Sequence, residues 1–276
     1  MPSWSADTWV ASWGSSSRSR LRRSSASCSC TFTSGSTPKL ALLSDIHSNL
    51  EALDAVLAAL PPVDGIVALG DIVGYGPDPN AVIARLRSIR ARAVRGNHDQ
   101  AMLTPQVLDW FNPDAAAAAR WTASVLSGAN RRYLSDLPLN GRIGPHRCVH
   151  GSPRKPYLWE YILEESQAMD ILSRLGSRLC FFGHTHLPRV FTDKGEWVPP
   201  LLPETDWIAL PDSALVNPGS VGQPRDGHPD ASCAVVDLER HAVQFRRVPY
   251  DIPTTQAKIV AAGLPEVEAA RLAYGR

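Results

Sequence analysis

The chain has 276 residues, a hydrophobic content of 44% and a formal net charge of +1, which suits one large domain or two small ones, and we expect one. Because basic and acidic residues balance, we expect neither bulk nucleic-acid binding nor attraction to a membrane surface. The five cysteines are too few and too irregularly spaced for a disulfide framework. No apolar run approaches the roughly 20 residues of a membrane span. These features together predict a cytoplasmic protein.

Residues 1–36 differ in composition from the rest of the chain, with 13 serines, four arginines and one acidic residue, Asp7. Such a segment cannot bury a core, so we predict a disordered tail over 1–36 and a folded domain over 37–276. The tail is either a natural extension or upstream sequence outside the functional protein. An Arg/Ser-rich transit peptide is a further interpretation that the sequence leaves open.

Short apolar runs alternate with helical patterns from residue 38 onward, which is typical of βαβ units around a buried sheet. Strands are predicted at 39–44, 65–69, 91–95, 147–149 and 178–182. The first helix is predicted to begin at a capping box formed by Ser48 and Glu51, and the second at Asp78 and Pro79. Residues 101–140 lack strand alternation and predict a helical insertion over one edge of the sheet.

The pattern changes after residue 187 to shorter strands and turns. The stretches RVFTDKGEWV and CAVVDLERHAVQFRRV predict antiparallel hairpins. Their exposed edges would allow two copies of the chain to pair, so a homo-oligomer is compatible with the sequence. A last helical segment is predicted over 254–274, broken at Gly263 and Pro265.

A short polar motif follows each strand of the first part of the chain. The motifs are DIH, GD, GNHD, HG and GHTH, beginning at residues 45, 70, 96, 150 and 183. Ligands of an open α/β sheet bind beyond the carboxyl ends of its strands. We therefore expect the five motifs to meet in one site.

The motifs offer imidazole, carboxylate and amide donors, which suit hard or borderline divalent cations. The seven candidate ligands are Asp45, His47, Asp71, Asn97, His150, His184 and His186. Seven are too many for one tetrahedral site but enough for two ions that share a carboxylate. Paired ions lower the pKa of a water held between them and present hydroxide to an electrophile, which predicts hydrolysis of phosphate esters.

The ordered motifs span residues 45–186, with weaker likeness to about residue 250, and resemble the calcineurin-like metallophosphoesterase superfamily. Within it they are most similar to small bacterial and archaeal phosphodiesterases. The resemblance implies the α/β class and an αββα sandwich of two mixed sheets flanked by helices. It also implies two divalent metal ions joined by a bridging hydroxide. Manganese is the metal favoured by this resemblance, and the donors also accept iron, zinc, cobalt or nickel.

The same resemblance assigns roles to the motif residues. One metal is assigned to Asp45, His47, Asp71 and His186, and the other to Asp71, Asn97, His150 and His184. Asp71 bridges the two. His98 is the implied catalytic histidine, which stabilises the transition state or protonates the leaving oxygen.

The function predicted from these motifs is metal-dependent hydrolysis of a phosphodiester by in-line attack on phosphorus. The predicted partner is a small phosphate ester, and a nucleotide is one such substrate. A phosphomonoesterase or a nucleotide pyrophosphatase is the alternative enzyme. A metal-free binding module on the same scaffold is a third interpretation, although such a protein is expected to lose ligands and none is missing here. The stretch GDIVGYGPDPN lacks the acidic and arginine pair of Ser/Thr protein phosphatases, which disfavours that branch.

Further side chains near the motifs are candidates for supporting roles. The candidate substrate contacts are Arg154, Tyr157, Trp159 and Arg225. Each arginine would either supply positive charge to a phosphate or lie solvated at the surface. The aromatic rings, with Tyr161, would stack a base or pack against the insertion. Asp99 is expected either to orient His98 or to cap a turn, and Asn217 to hydrogen-bond a ligand histidine.

Overall fold

A computed structural model describes residues 38–276, so the tail predicted over 1–36 lies outside the described residues. The strands of this part are β1 (Lys39–Leu43), β2 (Gly65–Ala68), β3 (Arg92–Ala93), β4 (Asn140–Ile143), β5 (His146–Val149), β6 (Leu179–Phe181), β7 (Pro188–Thr192), β8 (Gly195–Trp197), β9 (Ile208–Ala209), β10 (Ala214–Pro218), β11 (Ala231–Asp237) and β12 (Ala242–Val248). The α-helices are α1 (Leu50–Ala59), α2 (Pro79–Ser88), α3 (Asn97–Ala101), α4 (Pro113–Val125), α5 (Gly128–Asp136), α6 (Glu165–Leu175), α7 (Ile252–Ala261) and α8 (Glu266–Ala270). Among residues 38–276, no helix is both long and apolar enough to cross a membrane.

The strands form two six-stranded sheets with the orders β3-β2-β1-β11-β12-β9 and β4-β5-β6-β10-β7-β8. In the first sheet β1 is parallel to β2 and antiparallel to β11. In the second, β10 is parallel to β6 and antiparallel to β7. Both sheets are therefore mixed, and helices flank them. The predicted α/β class and αββα sandwich are confirmed.

Alternation along the strands fills separate cores on the two faces of each sheet, because successive strand side chains point to opposite faces. Leu40 and Leu42 of β1 pack with Phe181 of β6 in the cluster between the sheets. Leu43 instead joins the cluster formed with α1 and α2. Cys180, next to Phe181, joins the cluster under α6. The two sheets therefore stack face to face, with their motif loops following the strand ends.

The helices lie outside the sheets, and α6 packs through a single apolar face. On α6 the buried positions are Ala168, Ile171, Leu172 and Leu175, the spacing of one helix face. The region 101–140 contains a 3₁₀ segment, Pro105–Trp110, followed by α4 and α5. The C-terminal helices α7 and α8 are separated near Gly263, whose φ is +68°, as the sequence predicts.

The predicted capping box at the start of α1 is wrong. Ser48 has φ +54° and lies before the helix, and the N-cap is Asn49, whose side chain accepts a hydrogen bond from the Ala52 N–H at 3.1 Å. Glu51 instead binds Lys258 of α7. Because the left-handed backbone of the DIH loop continues through Ser48, the N-cap is one residue later than predicted. The third strand is also shorter than predicted, since only Arg92–Ala93 pairs with β2.

Candidate metal centre

The polar motifs that follow β1, β2, β3, β5 and β6 meet at one edge of the sandwich. Backbone hydrogen bonds hold the first two loops together: Asp45 N–H donates to the Gly70 carbonyl at 3.2 Å, and His47 N–H to the Asp71 carbonyl at 3.0 Å. The GHTH loop joins them, because the N–H of His184 donates to the Asp45 carboxylate at 3.0 Å. The motifs therefore share one site, as expected from the strand order.

The backbone of this site is strained at most of the predicted ligands. Five of the seven have φ between 47° and 70°: Asp45, His47, Asp71, His184 and His186. Left-handed backbone costs a non-glycine residue of order 1–3 kcal/mol and persists only where the surrounding structure imposes it. Such a concentration of strain is typical of a functional site.

One group of ligand atoms is formed by Asp45, His47 and His186, all buried. The Nε2 atoms of His47 and His186 are 3.1 Å apart. The Asp45 Oδ1 atom lies 3.4 Å from Nε2 of His186 and 4.0 Å from Nε2 of His47. Three donors thus face a common point.

A second group is centred on His150. Its Nε2 atom lies 3.2 Å from Oδ2 of Asp71, 3.1 Å from Nδ1 of His184 and 3.1 Å from Oδ1 of Asn97. The same Asp71 oxygen lies 3.7 Å from Nε2 of His47, which belongs to the first group. Asp71 therefore lies between the two groups, as expected for a shared ligand.

Backbone carbonyls fix three of the four histidine rings. The acceptors are the carbonyls of Val73, Leu69 and Gln223, which lie 3.2, 2.8 and 2.6 Å from the Nδ1 atoms of His47, His150 and His186. A carbonyl oxygen can only accept, so each Nδ1 carries the hydrogen. In the neutral tautomer this leaves the Nε2 lone pair directed into the cluster, the arrangement that metal-binding histidines use.

The residues fit divalent cations. Donor atoms bound to one ion at roughly 2.0–2.2 Å lie roughly 3 Å apart, close to the separations inside each group. The Nε2 lone pairs of neutral His47 and His186 face each other across 3.1 Å, an arrangement that a cation stabilises. The nitrogen and oxygen donors suit manganese, iron, zinc, cobalt or nickel.

Burial dominates the electrostatics of the cluster. Burial raises the pKa of Asp45 to about 7 and holds the pKa values of His47, His184 and His186 well below the ordinary range. Burial is the largest influence on Asp71 and His150 too and opposes charge on both, but it is outweighed by the attraction between the two groups together with that of further neighbours, among them His98 for Asp71 and Asp45 for His150. The pKa of Asp71 is well below its usual value and that of His150 rises to about 9. Metal ligation requires neutral imidazole, so binding would release the His150 proton.

His98 is buried beside the two groups. Its backbone N–H donates to Oδ1 of Asp71 at 2.8 Å, and its ring lies 4.5 Å from those of Tyr75 and Phe111. Among the described residues its Nδ1 atom has no hydrogen-bond partner. That atom lies against Gly74, which has φ +100° and where a Cβ would overlap it. Burial lowers the pKa of His98 to about 4.

Asp99 binds backbone in place of the His98 ring. Its Oδ1 atom accepts from the N–H groups of Ile72 and Val73 at 3.0 and 3.1 Å. Its Oδ2 atom accepts from Gly96 N–H at 3.0 Å. Of the two roles expected from the sequence, these contacts match the capping one, and they hold the GD and GNHD loops together.

Asn217 is also bound to backbone and not to a ligand ring. Its Nδ2 donates to the Gly183 carbonyl at 2.9 Å and to the Thr185 hydroxyl at 3.0 Å. Its Oδ1 accepts from Gly219 N–H at 2.9 Å. Asn217 therefore supports the GHTH loop from β10, and the expected contact with a ligand histidine is replaced by one with the loop that carries it.

The two candidate arginines lie in different places. Arg225 lies over the ring of Tyr75, with its guanidinium carbon 5.6 Å from the ring centroid, and Nη2 donates to the Gln223 side-chain oxygen at 2.7 Å. The Tyr75 ring in turn packs against that of His47, with centroids 4.6 Å apart, so Arg225 lies beside the cluster. Arg154 pairs with Asp170 of α6 at 2.6 Å and lines a separate cavity.

Of the three aromatic residues that follow the HG motif, Tyr161 contacts a ligand. Its ring is stacked on His184, with centroids 3.9 Å apart and planes inclined by 14°. Tyr157 is 56% exposed, and Trp159 has a left-handed backbone with φ +46°. Tyr75 and Gln223 are further contacts that sequence reasoning missed, and their position inside the turn-rich loops GDIVGYG and NPGSVGQ is the signal that could have found them.

A methyl group at Gly96 should damage the site. A Cβ there would overlap the Asp71 carboxylate and backbone nitrogen, so we expect Gly96→Ala to lower the free energy of unfolding by roughly 1–3 kcal/mol. Urea denaturation measures this. Gly128→Ala is the matched control, because the nearest atom to its Cβ is Nη1 of Arg132 at 3.8 Å. Equal stability of the two variants would contradict the expected overlap.

Comparison with known proteins agrees with this geometry. The profile of the calcineurin-like phosphoesterase superfamily domain matches residues 39–241. A metallophosphoesterase from Sphaerobacter thermophilus is similar in structure, with a TM-score of 0.76 and 40% identity over 86% of this chain and 99% of that chain. Two mixed sheets with a histidine and carboxylate cluster at one edge thus define a metallophosphoesterase fold. The chain belongs to the calcineurin-like phosphoesterase superfamily, and the resemblance found in the motifs is confirmed.

Two further relatives extend the comparison. An uncharacterized protein of Methanocaldococcus jannaschii is 40% identical over 245 residues, covering 86% of this chain and 98% of its own length. Serine/threonine-protein phosphatase 1 of Salmonella typhimurium is 30% identical over 149 residues, covering 47% of this chain and 68% of its own length. Membership of this superfamily supports a phosphoester hydrolase that uses divalent metals.

Proposed function

We propose that this protein is a phosphodiesterase that works with two divalent cations, for which manganese is the first metal to test. The observation that carries the proposal is the position of Asp71. Its Oδ2 atom lies 3.2 Å from Nε2 of His150 and 3.7 Å from Nε2 of His47. One carboxylate oxygen therefore faces both groups of ligands, as a shared ligand must.

The ligand assignment follows the two groups. Asp45, His47, Asp71 and His186 would hold one ion, and Asp71, Asn97, His150 and His184 the other. When bound, such a pair of cations lowers the pKa of water toward neutrality and neutralises charge that develops on a phosphoryl group. The chain holds the ligands ready, since backbone carbonyls fix three rings and His98 N–H occupies Oδ1 of Asp71.

His98 is the proposed catalytic residue. The Asp71 contact and the rings of Tyr75 and Phe111 restrain it at the edge of the ligand groups. Its pKa of about 4 leaves the imidazole neutral near pH 7, so it would donate an N–H hydrogen bond to the leaving oxygen of the ester. It would protonate that oxygen only if the bound phosphate, an anion, raised the pKa of the ring. Phe111 belongs to the region 101–140, so this region would contribute a ring that packs against the proposed catalytic histidine.

Arg225 is the proposed contact for the phosphate. Its guanidinium is held by Gln223 and by the face of Tyr75. The guanidinium that would bind phosphate therefore belongs to the loop after β10, whereas in Ser/Thr phosphatases the corresponding arginine follows the GD motif. Such a fixed guanidinium binds a phosphate through charge-assisted hydrogen bonds.

Replacing Arg225 tests that contact. We expect Arg225→Gln to raise KM at least roughly tenfold with little change in kcat, because a hydrogen bond to a charged group contributes about 1.5–3 kcal/mol. Steady-state kinetics on bis-p-nitrophenyl phosphate measure it. Arg154→Gln is the control, since Arg154 pairs with Asp170 on α6. The same KM in both variants would contradict the role of Arg225.

Metal removal and a substrate panel test the whole proposal. Protein treated with a chelator should lose turnover and recover it with Mn²⁺, and elemental analysis should find two ions per chain. The panel compares bis-p-nitrophenyl phosphate and cyclic nucleotides with p-nitrophenyl phosphate and nucleoside diphosphates, each with several metals. Faster turnover of diesters is the expected result. Full activity without metal would refute the proposal.

A phosphomonoesterase is the second candidate, favoured by the 30% identity to Serine/threonine-protein phosphatase 1 of Salmonella typhimurium. A preference for p-nitrophenyl phosphate in the same panel would select it. A protein that binds no stoichiometric metal and hydrolyses none of these esters would instead be a binding module on this scaffold.

A further inference from the structure

His184 is held differently from the other histidines of the candidate metal centre. His47, His150 and His186 each donate Nδ1–H to a backbone carbonyl and present Nε2 to the cluster. His184 presents Nδ1, which lies 3.1 Å from Nε2 of His150. Within residues 38–276, its ring has no such carbonyl partner. A different contact therefore has to fix the orientation of the His184 ring.

We propose that Tyr161 is the positioning residue of His184, an inference that rests on the proposed function. The two rings are nearly parallel, at 3.9 Å and 14°. The backbone bond from His184 N–H to Asp45 fixes only the main chain. The second side-chain torsion of a histidine has a broad range, and rotation about it would move Nδ1 away from Nε2 of His150. Stacking restrains that rotation, because a turned imidazole would lose the parallel contact.

The segment that carries Tyr161 is itself fixed on both sides. On one side the Glu160 carbonyl accepts from Ser152 N–H at 3.0 Å. On the other side Ile162 is 2% exposed and packs in the cluster under α6. Tyr161 is 46% exposed between these anchors. The neighbouring residues therefore fix the backbone at Tyr161, and the Tyr161 ring packs over His184.

Two substitutions separate the stacking ring from its hydroxyl. Tyr161→Leu removes the ring, whereas Tyr161→Phe keeps it. We expect Tyr161→Leu to weaken binding of one of the two ions by roughly 2–10-fold, the range expected for the loss of one aromatic contact, with the other ion unchanged. Tyr161→Phe should bind both ions like the wild type. Tyr274→Leu is the control, because that tyrosine is 65% exposed and lies outside the motif loops.

The measurements are titration of metal-free protein with Mn²⁺ by calorimetry and the visible absorption of the Co²⁺-loaded protein. A changed Co²⁺ spectrum in Tyr161→Leu, restored in Tyr161→Phe, is the expected signature. Unchanged affinity for both ions in Tyr161→Leu would overturn the inference. So would a Tyr161→Phe variant that loses ion affinity as much as Tyr161→Leu does, since the hydroxyl and not the ring would then hold His184. A wild type that binds fewer than two ions would overturn the proposed function. Unchanged affinity in Tyr161→Leu, with two ions bound to the wild type, would overturn only the role of Tyr161, so the two failures are distinguishable.

Discussion

Asp71→Asn should lower turnover of bis-p-nitrophenyl phosphate by at least about 10²-fold, more than loss of an outer partner of a metal ligand usually costs. Oδ1 of Asp71 accepts from His98 N–H, and the asparagine oxygen can keep that bond. The amide nitrogen would then take the place of Oδ2, which faces His150 and His47. An amide N–H₂ donates to imidazole nitrogen and cannot bind a cation. The variant therefore fills the site with hydrogen bonds in place of metal.

Elemental analysis and circular dichroism complete that experiment. The ion content should fall below two per chain while the fold is retained, because the substitution preserves side-chain shape. Asp54→Asn is the matched control, since this carboxylate is half exposed and pairs with Arg85 at 2.6 Å. An Asp71→Asn variant that keeps both ions and full turnover would remove the shared ligand from the proposal.

The ligand cluster could be predicted from the sequence because it depends on topology and residue type. Each motif follows a strand, and strands that enter a sheet in parallel deliver their following loops to one edge. Asp45, Asp71 and His150 come from β1, β2 and β5, in two different sheets, and still meet, because the sheets stack face to face with those ends together. Residue identity then determined the chemistry.

The parts that could not be predicted depend on backbone atoms and on loops without periodicity. Backbone carbonyls fix the rings of three ligand histidines. Every residue has a backbone carbonyl, so the amino-acid sequence does not reveal which carbonyl accepts from a given histidine. The segment from Tyr157 to Tyr161 contains three aromatic rings and a left-handed backbone at Trp159, and the ring of Tyr161 stacks on a ligand. The residue types alone do not reveal which ring makes that contact. The start of α1 was misplaced for the same reason, since Ser48 lies in a left-handed turn.

His98→Ala should lower kcat by roughly 10²–10⁴-fold while both ions stay bound, because a general acid or hydrogen-bond donor contributes about this much. KM should change little, since Arg225 and the cations would still bind the phosphate. The geometry also groups a nitrogen of His98 with His47 and Asp71 as donors that could hold an ion. The elemental analysis therefore distinguishes the two roles, because loss of an ion in His98→Ala would make His98 a ligand.

The cavity left by alanine calls for a second variant. The His98 ring packs against Tyr75 and Phe111, so His98→Ala also removes buried contacts, and His98→Gln retains more of the volume and an amide donor. We expect His98→Gln to keep the thermal stability of the wild type more closely and still lose most of kcat. His228→Ala is the control, since that histidine is partly exposed beside Asp230. A kcat equal to that of the wild type in both His98 variants would exclude this imidazole from the chemistry and leave the cations and Arg225 as the groups that act on the ester.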